Sequence, residues 1–521
     1  MFSTTFEYFK NKKRIDPDGG MSSQYYAGID LGTANCCLSY TEGDGKVKSL
    51  KIGDDTTLPS VVTFTEKGIY VGHEALNLGD EQGSWNTASH FKRVMGENIV
   101  RVYNGVEYDP TELSALLLKK LRMEFRKQTG SEIDEAVITI PSDYGDVERH
   151  STYNAAMIAG FKDVTLLSES LAAAVSYGMS KKSSEKELMI VYDLGSGTLD
   201  VCVVEVSGGK FRVLADESNK DLGGRDWDLQ LATLIQKKIL DTRGMEGSDV
   251  LSDSDFRRNL LKEAERIKIE LERRARAVGE ITLRGESTKF SITREEFEES
   301  TRWLMDKSID MLGYALRDSK HTMSEVSEIV LVGASSLMLQ VPRNFREAFP
   351  SKDIIMYRPE YAISDGAALY AESKYGNGSI EVIPVMTKTY GILAGIDGVE
   401  KICNVVFKNT NIPSEYTLTC RPKRDDQDFL DITIYESMSK FGEDFIDISE
   451  GKQVLKESIP LTGKISRGRT KIPIVIKANK HGKMSFDISC NGNNTVLTFL
   501  KEVDMTPEEL QASAVKMEGI I

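Results

Sequence analysis

The feature that most constrains this chain is a turn that occurs twice. Ile29-Asp30-Leu31-Gly32-Thr33 and Tyr192-Asp193-Leu194-Gly195-Ser196-Gly197-Thr198 each end a strand-like run with an aspartate, an apolar residue and a glycine, then a hydroxyl residue. A second apolar run follows each: Cys36-Cys37-Leu38-Ser39-Tyr40 after the first, Val201-Cys202-Val203-Val204 after the second. The pattern predicts strand, tight turn, strand, twice. Glycine lets backbone N–H groups approach a phosphate, and threonine adds a hydroxyl donor. An aspartate just before such a turn suits a hydrated Mg²⁺; it also suits plain turn capping. Two such hairpins facing each other would grip a nucleotide triphosphate from both sides.

Between residues 25 and 374, strand-like and helix-like segments alternate. Val137-Ile138-Thr139-Ile140 is an apolar strand run stopped by Pro141, with a helical stretch over 149–159 behind it. Residues 188–192 lead straight into the second turn, and 329–332 run into Gly333-Ala334-Ser335-Ser336 and another helix. This alternation predicts an α/β domain with ligands at the carboxyl ends of strands. Residues 251–278 are densely charged, with a helical period that sets Leu260, Leu261, Ala264, Ile267, Lys268 and Leu271 on one face. Together with the duplicated hairpins this fits an actin-like ATPase core of two related lobes.

The character changes near Tyr375-Gly376-Asn377-Gly378-Ser379, a turn-rich break. Beyond it, period-two runs at 430–434 and 472–476, separated by turns at Asn411-Ile412-Pro413 and His481-Gly482, predict an all-β sandwich. Thr506-Pro507-Glu508-Glu509 is a capping box opening a short helix that meets Gly519. The expected division is an N-terminal extension 1–24, an α/β domain 25–374, a linker 375–385, a β-sandwich 386–504 and a helix 505–521.

Charge and composition exclude some roles. A net charge of −14 argues against nucleic acid or an anionic membrane as the main partner. The 6 cysteines form no CxxC or metal-ligand cluster; three sit in apolar strand patterns, so they read as buried, reduced thiols. No apolar run reaches the ~18 residues of a membrane span. The first residues mix Lys10, Lys12, Lys13 and Arg14 with Glu7, Asp16 and Asp18, without the apolar core of a secretory signal. A cytoplasmic location is the expectation.

Further motifs narrow the class. Gly28 through Thr33, Leu58-Pro59-Ser60, Lys92-Arg93-Val94-Met95-Gly96, Val137 through Pro141, Glu169 with Ala172-Ala173-Ala174, Tyr192 through Asp200, Leu222-Gly223-Gly224 with Asp226, and Ile329 through Ser335 resemble the seventy-kilodalton heat-shock chaperone family. Lys408-Asn409-Thr410-Asn411-Ile412-Pro413 is similar to the start of that family's peptide-binding β-domain.

The resemblance implies an ATPase that binds unfolded or nascent polypeptide, with ATP or ADP and Mg²⁺ as cofactors. Its implied partners are a J-domain co-chaperone and a nucleotide exchange factor. A specialised alternative is a relative that acts on the ribosome as a co-chaperone with little ATP cycling. Asp30 and Asp193 would hold water on Mg²⁺. Lys92 would neutralise developing charge, and Glu169 and Asp200 would orient or deprotonate the attacking water. Thr33 and Thr198 would donate to the γ-phosphate. Gly32, Ala34, Gly195, Ser196 and Gly197 belong to the two phosphate turns. Glu265 and Lys268 would bond the ribose, unless they form a plain surface ion pair. Gly224, Gly333, Ala334 and Ser335 would let backbone pass close to ribose and α-phosphate. Pro141 and Arg149 match an interdomain switch. Leu430, Ile432 and Ile434 fall either at the peptide pocket or in the sandwich core.

The chain departs from that pattern in places. Leu337 stands where the family usually has an arginine on the adenine, and Glu272 replaces a serine there. Ala34, Ser196 and Ala334 replace a threonine and two glycines, and Asp143 a tyrosine. The linker, Gly378-Ser379-Ile380-Glu381-Val382-Ile383, carries less apolar area than the family's leucine run, and Lys423 falls near an apolar arch position. A helical lid is expected to be absent, which would make peptide exchange fast. Weaker ATP binding with retained phosphate chemistry follows from the loss of the arginine.

Overall fold

The computed structural model describes residues 25–82, 86–181, 184–244, 254–396, 398–461, 463–479, 484–490, 493–498 and 505–521. The expected extension at 1–24 and the turn at His481-Gly482 lie outside them.

Two six-stranded sheets repeat one plan. In the first, the order is Asp163–Ser168, Glu135–Ile140, Tyr26–Leu31, Asn35–Thr41 and Lys48–Ser49, with Thr57–Pro59 also paired to Asn35–Thr41. In the second it is Asp353–Met356, Glu328–Val332, Glu187–Leu194, Leu199–Ser207, Lys210–Asn219 and Glu381–Ile383. Each sheet has a parallel pair, a parallel step to the central strand, then an antiparallel hairpin. The expected strand-turn-strand units are these two hairpins, with Asp30 paired to Cys37 and Asp193 to Asp200.

Two helices, Glu169–Lys181 and Ala362–Tyr375, lie between the sheets in one apolar cluster with residues of both. Their contact is close enough that a Cβ on Gly366 would stand 1.7 Å from the Ala172 carbonyl oxygen. The alanine run Ala172-Ala173-Ala174 therefore serves packing: each methyl is fully buried where no larger side chain fits. The charged stretch folds as the helix Ser254–Arg273 and buries Leu260, Ala264, Ile267 and Leu271.

The C-terminal part is strand-rich. A five-stranded sheet, in the order Phe445–Ile446, Val399–Val406, Thr389–Ile396, Phe429–Ser437 and Lys452–Pro460, is antiparallel throughout. A four-stranded one, Ser414–Cys420, Ile472–Ala478, Met484–Cys490 and Asn493–Thr498, shares its apolar core. Leu430, Ile432 and Ile434 alternate onto the inner face and sit in that core. Of the two positions the sequence left open for them, the packing supports the core. The outer face of the same sheet carries a smaller cluster of Ile402, Tyr435 and Ile446.

The linker departs from expectation. Despite its modest apolar content it docks as a strand, with Lys210, Phe211 and Arg212 in register with Glu381, Val382 and Ile383. Backbone pairing and side chains both hold it: Ile380 and Val382 pack against the apolar cluster between the sheets, and Lys210 pairs with Glu381 at 2.7 Å. The C-terminal helix Pro507–Lys516 forms as its capping box predicts and returns to the first sheet's domain. There Lys516 pairs with Glu112 at 2.7 Å, Met517 is fully buried, and the backbone of Ile521 bonds that of Ile69.

Candidate functional site

The two hairpin turns meet. A Cβ on Gly197 would stand 3.1 Å from Thr33 Oγ1, a tight approach where the second turn passes the first. Gly195 N–H donates to the Thr198 carbonyl at 3.0 Å, closing the second turn. Ser60 Oγ donates to the Gly32 carbonyl at 2.7 Å and Ser60 N–H to that of Ala34 at 2.7 Å, bracing the first. Gly333 has φ +79° and touches Asp193 and Leu194 so closely that any side chain would collide.

A cleft of about 100 Å³ lies between these turns. Asp30, Gly32, Thr33, Ala34, Lys92, Glu169, Asp193, the turn 195–198, Gly333 and Ala334 all face it. At Thr33, Lys92 and Thr198 it adjoins a second cavity of about 470 Å³, which reaches Lys388 and Met438 of the β-domain.

The charges here are deeply buried. Lys92, on a short 3₁₀ turn, donates to Glu169 at 2.6 Å with both side chains almost sealed from solvent. Burial alone would lower the Lys92 pKa, but Glu169 and Asp30 hold it above its ordinary value. Burial pushes Asp30 up to about 7, with Glu169 adding repulsion and Lys92 opposing. Asp193 and Asp200 are held well above the carboxylate range, by burial first and Glu169 next. Ionised together, Asp30, Glu169, Asp193 and Asp200 would outnumber the one ammonium among them, so a bound cation would favour their ionised forms. Asp193 Oδ1 is buried with no hydrogen-bond partner among the described residues, an acceptor suited to water on a metal ion. Among the described residues no three His, Cys, Asp or Glu side chains converge to hold a bare ion. The donor set therefore fits a hydrated Mg²⁺.

The ribose-side residues divide. Gly224, Lys268 and Ser335 come together: a Cβ on Gly224 would stand 2.2 Å from Ser335 Oγ and 3.4 Å from Lys268 Nζ. Lys268 is buried and pairs with Asp228 at 2.7 Å, a partner that sequence spacing gave no means to find. Glu265 is exposed on the same helix. Leu337 is 36% exposed beyond the Gly333 turn, and burial raises the Glu272 carboxyl. Cys37 and Glu360 also face the cleft, joined by a Cys37 Sγ contact to the Glu360 carbonyl at 3.5 Å.

Pro141 lines the second cavity, and Arg149 faces Asp146 and Tyr390 at the seam with the β-domain. Burial there lowers the Arg149 pKa and lifts Asp146 to about 6. The seam is polar and tightly joined. Lys408 pairs with Glu217 at 2.7 Å, Arg212 donates to Asn411 Oδ1 at 2.9 Å, and Thr387 Oγ1 donates to the Tyr144 carbonyl at 3.1 Å. Lys423 is exposed and pairs with Glu400 of the strand Val399–Val406 at 3.3 Å.

A duplicated sheet-and-hairpin plan around a cleft of buried charge, joined to a strand-rich part, is the architecture the residues build. Comparison with known proteins makes this specific. The family described as Hsp70 protein matches residues 26–104 and 97–490. The chain is 31% identical over 429 residues to the chaperone protein DnaK of Thermosipho africanus, covering 79% of this chain and 70% of the relative. It is 32% identical over 430 residues to that of Thermotoga maritima (79% and 70%), and 30% over 433 to that of Mycoplasmopsis synoviae (81% and 71%). The chain belongs to the Hsp70 family. Among the described residues no helix is long and apolar enough to cross a membrane.

Proposed function

We propose that the chain is an ATP-dependent chaperone whose two sheets form actin-like lobes that bind Mg²⁺-ATP and hydrolyse it to ADP and phosphate. The observation that carries this reading is the sealed Lys92–Glu169 pair facing both phosphate turns. Asp30 and Asp193 would hold a hydrated Mg²⁺, which when bound supplies positive charge against the phosphates. Thr33 and Thr198 stand at the cleft wall to donate hydroxyl hydrogen bonds to the terminal phosphate. Lys92 neutralises charge that develops on the transferring group, and Glu169 fixes its ammonium. Asp200 would, in its ionised form, accept the proton of the attacking water. Gly224, Lys268 and Ser335 receive the ribose, with Gly333 and Ala334 beside the α-phosphate.

The β-domain binds an extended polypeptide, and Pro141, Arg149 and the docked linker transmit the state of the nucleotide to it. A J-domain protein and an exchange factor complete the cycle. A second reading, a co-chaperone on the ribosome with little ATP cycling, is favoured by Leu337 at the base end of the cleft and by the charged Glu400–Lys423 bridge. Single-turnover ATP hydrolysis with and without unfolded peptide and a J-domain protein separates the two. Stimulated hydrolysis supports the first reading; binding of ATP with no hydrolysis and no response supports the second.

A further inference from the structure

The segment 357–361 crosses from the second sheet toward the first and supplies part of the cleft wall. It leaves the second sheet where Tyr357 N–H donates to the Leu331 carbonyl at 3.0 Å. It ends at the helix Ala362–Tyr375, which lies so close to the first sheet that a Cβ on Gly28 would stand 2.0 Å from the Ala368 nitrogen. Between these ends, Pro359 and Glu360 face the cleft. Residues beside the first sheet's hairpin hold the segment at two points. The Cys37 thiol reaches the Glu360 carbonyl at 3.5 Å, and the Tyr361 and Thr56 hydroxyls lie 2.8 Å apart.

A third hold is ionic. Arg358 adopts φ +38°, a left-handed conformation that residues with side chains rarely take. Its Nε pairs with Asp365 Oδ2 at 2.7 Å. Ser39 Oγ, from the strand Asn35–Thr41, donates to the other oxygen, Oδ1, at 2.8 Å. Asp365 is buried, and its helix neighbours Ala362, Ile363 and Ala367 belong to the apolar cluster between the sheets. A carboxyl is costly there unless it is paired. Burial raises its pKa, and Arg358 and Ser39 oppose that shift. A strained backbone persists where its surroundings over-determine it. Here they do so around the cleft wall. Tyr361 N–H and Ala362 N–H both donate to the Arg358 carbonyl at 2.8 Å, and Asp365 N–H donates to that of Tyr361 at 2.9 Å. Pro359 and Glu360 are the residues enclosed by this loop of bonds.

We propose that the Arg358–Asp365 pair, anchored on Ser39, is a clasp that positions the Pro359–Glu360 wall and sets how long a nucleotide stays in the cleft. Arg358 and Asp365 are positioning residues, and Pro359 and Glu360 carry their effect to the ligand. With the pair broken, the wall keeps only a thiol contact, which is a weak hydrogen bond, and one pair of hydroxyls. The inference rests on the reading of the cleft as a nucleotide site, and not on hydrolysis.

The test uses the full chain, Arg358→Gly, Asp365→Asn and the double variant. Glycine relieves the strain at 358, so that variant loses the pair without a backbone penalty. Release of radiolabelled ADP bound with Mg²⁺ is followed after a chase of unlabelled ADP, and the rate of binding is measured in parallel. Each single variant should release Mg²⁺-ADP about five- to tenfold faster, with the binding rate within about twofold, since affinity changes at one site fall mostly on release. A merely structural role for the pair would leave release unchanged. The double variant should release no faster than the quicker single one, because both substitutions break one pair. Release from Arg358→Gly within about twofold of the parent chain, or multiplied effects in the double variant, would overturn the clasp and leave the nucleotide reading standing. A parent chain that binds no Mg²⁺-ADP overturns both. A parent chain that binds ADP but never cleaves ATP removes hydrolysis alone, and the release rates still decide the clasp.

Discussion

At the phosphate end of the cleft, Lys92 and Glu169 stand 2.6 Å apart and sealed from solvent; at the base end, Leu337 is 36% exposed and Glu265 projects into water. The phosphate end is held by charge in a low dielectric, where each interaction is strong and each loss costly. Lys268 and Asp228 form a buried pair beside Gly224 and Ser335. On the proposed reading chemistry and affinity are lodged in different places and should respond separately to substitution.

The largest expected effect lies in the sealed pair. Lys92→Ala should reduce single-turnover ATP hydrolysis by about 10²–10³-fold, the range for removing one preorganised electrostatic group. Nucleotide affinity should change far less. Equal losses in both would erase the distinction between the two ends.

Acidity sharpens the contrast next. In the nucleotide-free protein burial holds the Asp30 proton up to about pH 7. A cation site needs that proton gone, so Mg²⁺-ADP affinity should rise about tenfold between pH 6 and pH 8. Adenosine, which reaches only the base end, should bind with no such slope; calorimetry across pH compares them. Stability runs the opposite way. The Asp30 pKa is higher in the fold than in the unfolded chain, so its contribution is full below about pH 4 and lost as pH rises through about 7.

A smaller gain is expected at the base end. Leu337→Arg offers a cation to stack on adenine and should tighten ATP binding about fivefold, roughly 1 kcal/mol, with the rate of the chemical step unchanged. The smallest effect is assigned to Glu265→Ala: an exposed side chain on an exposed helix face should alter affinity by less than about twofold. A loss of tenfold there would place Glu265 on the ribose after all.

Much of the phosphate end was legible in the sequence, because backbone geometry dictates residue type there. Gly197 passes close to Thr33 and Gly333 adopts a positive φ, so the turn motifs favour glycine. Apolar runs likewise marked the central strands of both sheets, and helical period the core face of the helix Ser254–Arg273. What stayed hidden depends on distant segments meeting. Asp228 became the partner of Lys268, and Ser39 met Asp365, through contacts that no local period encodes. The linker looked poor by its side chains because strand pairing adds a backbone attachment that apolar content does not report. Leu430, Ile432 and Ile434 showed a period that pocket and core share, and only packing against the second sheet separated them.

The account turns on whether the sealed charges at the phosphate end perform chemistry. The direct measurement is single-turnover hydrolysis of ATP in Mg²⁺ by the full chain and by Lys92→Ala, with Mg²⁺-ADP affinity measured in parallel. The account predicts ADP and phosphate from the parent chain and a loss of about 10²–10³-fold in the variant, with ADP still bound. Equal rates in the two, or ATP bound by the parent chain and never cleaved, would contradict it.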